Sequence, residues 1–301
     1  MNKVNIGLAL GSGSSRGWSH IGVINALVEQ GIEPDIICGT SIGALVGASY
    51  LSNNLSKLEH WVRSLTKFET AKFFEINFSL NGFVNIQRLQ QFFDQNVAPD
   101  DLLIEDLNKQ FAAVATELET GREKWLTKGS VLDAVLASIS IPGLFPAIKN
   151  NSKWLVDGGL VNPVPVSVCR ALGADIVIAV NLNNNIVGKH IRTPTTSVTK
   201  STGVVDKITD LITEYTASIF PTTKAEEQPP GLFDAIATSF NITQDRITRS
   251  RMAGDPPDIM LSPNLAHIGL LEFHRADEAI SEGRRCVEKA LPGIKNTLGI
   301  S

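Results

Sequence analysis

Asp35-Ile36-Ile37-Cys38-Gly39-Thr40-Ser41-Ile42-Gly43 is the stretch on which the reading of the fold turns. Asp35 to Gly39 has the character of a short buried strand, Ile42 to Asn53 that of a helix, and the five residues at their junction satisfy the pattern G-x-S-x-G. Small residues flanking a serine permit a strained strand-to-helix turn that exposes the hydroxyl. With glycine and serine each near about 7% of residues, chance would supply about 0.1 such matches in a chain of this length, so the pattern alone is weak. Its position between an apolar strand and a helix is the setting the turn requires. Ser41, flanked by Gly39 and Gly43, is therefore the candidate nucleophile rather than an ordinary loop serine.

Toward the N-terminus, Val4 to Leu10 reads as an apolar strand and Gly11-Ser12-Gly13-Ser14-Ser15-Arg16-Gly17 as a glycine-serine loop. Trp18 to Gln30 follows with Ile21, Ile24, Leu27 and Val28 at helical spacing, closed by Gly31. The resulting β-α-β-α order implies a parallel sheet. A right-handed crossover usually joins neighbouring strands, which puts the glycine loop and Ser41 at the same carboxyl edge. Backbone N–H groups of Gly11, Ser12, Gly13 and Ser14, backed by a helix N-terminus, suit the negative oxygen that develops when a serine attacks an ester carbonyl. A dinucleotide-binding turn is the competing reading. Against it, Arg16 stands where the last glycine of that fingerprint belongs, and the second strand runs into the Ser41 turn instead of an acidic ribose ligand. A phosphate-binding Walker loop is absent, because no Gly-Lys-Ser/Thr ends the run.

Downstream, Leu55, Leu58, Val62 and Leu65 mark a helix and Ile86 to Phe93 another. Phe111 to Leu118 and Lys124 to Thr127 are expected as strands around a Thr120-Gly121 turn, and Val131 to Ser138 as a helix up to Pro142. The alternation resumes with a strand from Lys153 to Asp157, a proline-started helix from Pro163 to Leu172 ended by Gly173, and a β-branched strand from Asp175 to Val180. A serine needs a base, and Asp157, before Gly158 and Gly159, would stand at the carboxyl edge if its strand is parallel. A plain Asp-Gly hairpin turn is the alternative, weakened by the helix that follows.

The α/β body is expected to end near residue 182, with a helical and loop part from 183 to 301 packed on it as one domain. Thr193 to Thr202 and Pro221 to Gly231 read as surface connections. Between them Val204, Ile208, Leu211, Ile212, Tyr215 and Ile219 share an apolar stripe, read as a helix packed on the body or, alternatively, as a mobile lid or lipid-contacting helix. Arg246, Arg249 and Arg251 read as a solvated basic helix face, with lipid head groups as the alternative ligand.

Composition limits the partners. Lys plus Arg number 27 against 31 Asp plus Glu, a net charge of −4, which gives no reason to collect nucleic acid. Cys38, Cys169 and Cys286 form no CxxC pair, so no metal clasp or redox cycle is expected and a reducing cytoplasm is the simplest location. The first apolar run is too short for a signal peptide, and no run approaches the roughly 20 apolar residues needed to cross a bilayer. Membrane contact is therefore expected to be peripheral, and the glycosylation sequons at Asn54 and Asn241 accidental. Neither a cofactor nor a calcium requirement is expected, and oligomeric state is not legible.

Taken together, the loop ending in Arg16-Gly17, Gly39-Thr40-Ser41-Ile42-Gly43 and Asp157-Gly158-Gly159 resemble the patatin-like phospholipases, most closely the bacterial RssA-like subgroup. The likeness extends through Ser140-Ile141-Pro142-Gly143 and Asn162-Pro163-Val164-Pro165 to Met252-Ala253-Gly254-Asp255-Pro256-Pro257. It implies a three-layer α/β fold with a mostly parallel central sheet flanked by helices. It also implies a fatty-acyl lipid substrate and a Ser-Asp dyad in which Ser41 attacks and Asp157 serves as general acid and base, without histidine. Ser12 and Ser14 stand where the family has glycines, so the oxyanion role is spread over Gly11 to Ser14. Two rivals stay open. One is an α/β-hydrolase triad of Ser41, Asp157 or Asp175, and His267 or His274, with His20 as a spare base or a structural helix residue. The other is a non-catalytic lipid-binding or regulatory protein on the same fold.

Overall fold

Strand side chains alternate between two cores. Leu8, Leu10, Ile37, Phe111, Ala113, Ile178 and Val180 enter one buried cluster, while Ala9, Ile36, Cys38, Ala112, Val114, Val177 and Ala179 enter another. That period of two, apolar on both faces, is what a sheet covered by helices on both sides requires. The computed structural model describes residues 4–73, 86–184 and 232–300. In chain order these form β1 (Ile6–Leu10), α1 (Ser19–Glu29), β2 (Ile36–Thr40), α2 (Ile42–Leu51), α3 (Leu55–Ser64), α4 (Lys67–Phe73), α5 (Ile86–Asn96), β3 (Gln110–Glu117) and β4 (Glu123–Leu126). They continue with α6 (Val131–Ile139), β5 (Ile148–Asn150), β6 (Lys153–Asp157), α7 (Val166–Ala171), β7 (Ile176–Val180), α8 (Leu232–Gly254), β8 (Ile259–Leu261) and α9 (Ala276–Leu298). The expected helix from Val204 to Ile219 and the connections at 193–202 and 221–231 lie outside the described residues.

Hydrogen bonds link the strands in the order β5-β6-β3-β2-β1-β7-β8, with β4 also on β3. Strands β3, β2, β1, β7 and β8 are mutually parallel; β4 and β6 pair antiparallel with β3, and β5 antiparallel with β6. Helices α1, α2, α6 and α9 cover one face and α7 the other, where Met252 of α8 also packs. The fold is thus the expected three-layer one.

Two expectations change, and the condition on which Asp157 was placed at the carboxyl edge is not met, since the Lys153 to Asp157 strand is antiparallel. The sheet does not end near residue 182, since β8 pairs with β7 from beyond it. The helix after Asn162 begins only at Val166, with Pro165 as its N-cap, because the backbone from 162 to 164 is spent on the site: Asn162 and Pro163 carbonyls accept from Thr40 Oγ1 and Ser12 N. Cys38 and Cys169, distant in sequence, enter the same core as free thiols, and burial together with Cys169 raises the Cys38 pKa.

Helix α9 crosses α1 at a glycine pair. A Cβ on Gly22 would lie 1.9 Å from the Ile280 carbonyl oxygen, and one on Gly283 2.0 Å from that of Ser19. Backbone cannot yield as a flexible side chain does, so Gly283→Ala is expected to lower stability by about 3 kcal/mol. Urea unfolding monitored by circular dichroism reads this as a lower midpoint; an unchanged midpoint contradicts so close a crossing.

Candidate active site

Thr40 of β2 pairs with Val114 of β3, and Asp157 of β6 pairs with Ala115, one rung further on. Because β4 already takes the other edge of β3 at residues 113–116, β6 must use the edge that β2 uses. The two strands therefore lie end to end along β3. An antiparallel strand normally carries its last residue away from the carboxyl edge; here β3 overshoots β2, and β6 runs back down that overhang to deliver Asp157 beside Ser41.

Ser41 sits between β2 and α2 with φ 57 and ψ −125. A non-glycine residue there stores about 1–3 kcal/mol of strain, tolerated where the surroundings over-determine the turn. They do so here. The Ser41 N–H donates to Ser138 Oγ at 2.8 Å, whose hydroxyl in turn donates to the Val114 carbonyl at 2.6 Å. Thr40 Oγ1 donates to the Asn162 carbonyl at 2.8 Å. The flanking glycines answer close approach: a Cβ on Gly39 would meet the Ala44 nitrogen at 2.4 Å, and one on Gly43 the Leu10 carbonyl oxygen at 2.1 Å. Ser138 went unnoticed in the sequence, since a serine in an apolar helix carries no motif.

Asp157 is fully buried. Its Oδ1 accepts from the Gly159 N–H at 2.7 Å, while Oδ2 has no hydrogen bond among the described residues. Burial raises its pKa to about 7, against smaller opposing pulls from the Ser41 hydroxyl and the Gly159 N–H. Ser41 is thus the side chain acting on this carboxylate.

The glycine loop is narrower in its offer than expected. The Gly11 N–H donates to the Val180 carbonyl at 3.1 Å and the Ser12 N–H to that of Pro163 at 2.8 Å, so neither is free for an oxyanion. Gly13 and Ser14 N–H have no acceptor among the described residues. Fully buried Arg16 aims the peptide between them: its N–H and its Nε both donate to the Gly13 carbonyl, each at 3.2 Å. In a trans peptide the next N–H points the opposite way, so the Ser14 N–H is turned from the guanidinium. Ser14 adopts a left-handed φ of 53, and its hydroxyl donates to the Leu270 carbonyl at 2.6 Å. The serine at this family glycine position thus has its own anchor. Arg16 Nη2 donates to Asn241 Oδ1 at 3.0 Å, and burial lowers the Arg16 pKa to about 10. Gly17 packs against Ile42, which keeps the loop close on α2.

Histidine triads are not assembled. His20 is fully buried with Nε2 at 2.7 Å from the Gly11 carbonyl, and burial lowers its pKa to about 4, so it braces the loop as a neutral ring. Asp175 accepts from the Asn5 N–H at the amino edge of the sheet. His267 contacts Glu278 at 2.5 Å, and the groups acting on His274 are Glu272, Lys67 and Arg275, not an aspartate. On α8, Arg251 is held by Glu123 at 2.6 Å and the Val161 carbonyl at 2.8 Å, whereas Arg246 and Arg249 are exposed, Arg249 pairing with Asp245 at 2.9 Å, as in a solvated basic face.

Ser14 and Ser41 open into a cleft whose other walls include Trp18, Trp61, Phe92, Phe93, Phe145 and Phe273. Apart from the two serines and Thr70 its lining is apolar or aromatic, that of a site for an apolar ligand.

Comparison with known proteins identifies the family. A family model described as Patatin-like phospholipase matches residues 8–170, from β1 into α7. An uncharacterised NTE family protein of Mycobacterium tuberculosis is 29% identical over 333 aligned residues, covering 96% of this chain and 92% of that one. Lysophospholipase nte1 of Aspergillus fumigatus is 32% identical over 188 residues, covering 60% of this chain and 12% of its own. Among solved structures, VipD from Legionella pneumophila aligns with a TM-score of 0.49 at 14% identity, over 97% of this chain and 67% of that one. With the family model spanning both Ser41 and Asp157, and more than half of the chain, the protein belongs to the patatin-like phospholipase family.

Proposed function

We propose that the protein is a lipid acyl-ester hydrolase working through a Ser41–Asp157 dyad. The observation that carries this reading is a strained serine beside a fully buried carboxylate whose pKa lies about 7, at the wall of an apolar cleft. A carboxylate of ordinary acidity is too weak a base for a serine hydroxyl; desolvation brings its proton affinity to the working pH. Asp157 Oδ2 takes the Ser41 proton as Oγ forms its bond to the acyl carbon. The carbonyl oxygen, now negative, is held by the N–H groups of Gly13 and Ser14. On collapse the C–O bond to the alcohol breaks, and the alcohol leaves with the proton from Asp157. Water then attacks the acyl-serine with Asp157 as base, and the fatty acid departs as Ser41 recovers its proton.

The aromatic cleft suits an acyl chain, and a phospholipid or lysophospholipid is the proposed substrate class; the Aspergillus relative carries the name of a lysophospholipase. Among the described residues no helix is long and apolar enough to cross a membrane, so in this reading contact with a lipid surface is peripheral, from the cytoplasmic side. No metal or cofactor has a part in the scheme. A fluorophosphonate probe should label the protein once, on Ser41, as located by tandem mass spectrometry. Label elsewhere removes Ser41 as nucleophile. A well-folded protein inert to the probe, to short-chain esters and to lysophospholipid would instead be a lipid-binding member of the family.

A further inference from the structure

Helix α8 presents Asn241, Gln244, Asp245 and Thr248 on one face at i, i+3, i+4 and i+7, and all four are buried although polar. Burying carboxamides forfeits apolar contact and obliges each to find a partner. Asn241 finds its partner on the glycine loop, and Gln244 finds its own in Asn183, just beyond β7. Asn241 receives Arg16, as described above. Gln244 Oε1 accepts from Asn183 Nδ2 at 2.8 Å, and the same Asn183 nitrogen lies 3.4 Å from both the carbonyl and the hydroxyl oxygen of Ser12. The far end of the Gln244 carboxamide rests on Gly159, where a Cβ would be 2.2 Å from Gln244 Nε2 and 2.9 Å from Asp157 Oδ1. The amide nitrogen and the carboxylate oxygen are thus about 5 Å apart at most, a range over which a charge on one is felt by the other.

We propose that Gln244 is a positioning residue: through Asn183 and Ser12 on one side and Gly159 on the other, its carboxamide holds the base loop and the oxyanion loop at a fixed spacing. The inference rests on the dyad reading above and adds a residue to it. A neutral amide is what this place accepts. Asp157 has burial, the Ser41 hydroxyl and the Gly159 N–H acting on it and, among the described residues, no charged side chain. The buried ionisable groups nearby, Arg16 of the glycine loop and His20 of α1, are turned to the Gly13 and Gly11 carbonyls, and Asp245, beside Gln244 on α8, is paired with Arg249. Gly159 has no side chain because Gln244 fills its place.

Two substitutions test this. Gln244→Leu keeps the bulk and removes both polar ends, so kcat for a short-chain ester is expected to fall about 10²-fold with KM little changed, as misplacement of catalytic groups does. Gln244→Glu keeps an acceptor for Asn183 but sets a carboxylate near Asp157, so the acid limb of the pH profile is expected to rise by about one unit or more. Carbon-13 NMR titration of aspartate carboxyls, with the Asp157 signal assigned by Asp157→Asn, reads the same rise without turnover, also if the leucine variant proves unstable. Wild-type kcat in Gln244→Leu, or an unmoved Asp157 titration in Gln244→Glu, overturns the proposal. A moved titration in protein that hydrolyses no ester keeps Gln244 beside Asp157 and overturns the hydrolase reading instead.

Discussion

Ser41→Ala is expected to reduce kcat for hydrolysis of a chromogenic short-chain ester by about 10⁴-fold or more, the scale of loss when a serine nucleophile is deleted. Its fold should survive. The interactions that build the elbow are made by the Ser41 backbone and by neighbours: the N–H on Ser138, the Thr40 hydroxyl on Asn162, and the close contacts at Gly39 and Gly43. Alanine retains the Cβ and the positive φ, so it neither relieves the strain nor adds to it. The change therefore isolates the hydroxyl. Retention of more than about a hundredth of the activity, with the melting temperature unaltered, would place the nucleophile elsewhere.

For Asp157→Asn the expected loss in kcat/KM is about 10³-fold or more, together with disappearance of the acid limb that the wild-type profile should show at about pH 7. A second consequence has the opposite sign. The folded protein holds the Asp157 proton up to about pH 7, against a reference value of 3.8, so it binds more protons than the unfolded chain between those values. Stability is then undiminished by this group below about pH 4, falls as pH rises toward 7, and carries the whole penalty above it. At about 1.4 kcal/mol per unit, that penalty is of the order of 4 kcal/mol at most. Asparagine never ionises. The variant should consequently melt several degrees above wild type at pH 8 and at nearly the same temperature at pH 4. Equal melting temperatures at pH 8 would mean that the carboxylate is not held in a desolvated site.

How much of this could be read from the chain follows from the range of each interaction. The units β1-loop-α1 and β2-Ser41-α2 were legible because period, glycine punctuation and motif all lie within about 20 consecutive residues. Asp157 was legible only as an Asp-Gly-Gly run, and its route to the site was not: a strand's direction is decided by its partner, and nothing in Lys153 to Asp157 says that β3 outruns β2. β5 and β8, three residues each, are too short for any periodic signal. Which loop amides are free depended on carbonyls at Val180 and Pro163, about 170 and 150 residues away in the chain. Gln244 has no motif at all; its meaning comes from standing against Gly159 and Asn183, a fact of packing.

The hairpin that carries Asp157 has a further meaning. Its two-residue loop, Asn151 and Ser152 at φ 44 and 68, joins the paired residues Asn150 and Lys153. A loop of that size leaves little freedom in register, and in a strand each residue of slippage sends the side chain to the opposite face. Counted from that loop, the acid falls fifth in β6, so the segment behaves as a molecular ruler that sets where the carboxylate arrives. An insertion or deletion of one residue between the loop and the acid would leave the sheet formed and point the carboxylate into the wrong layer.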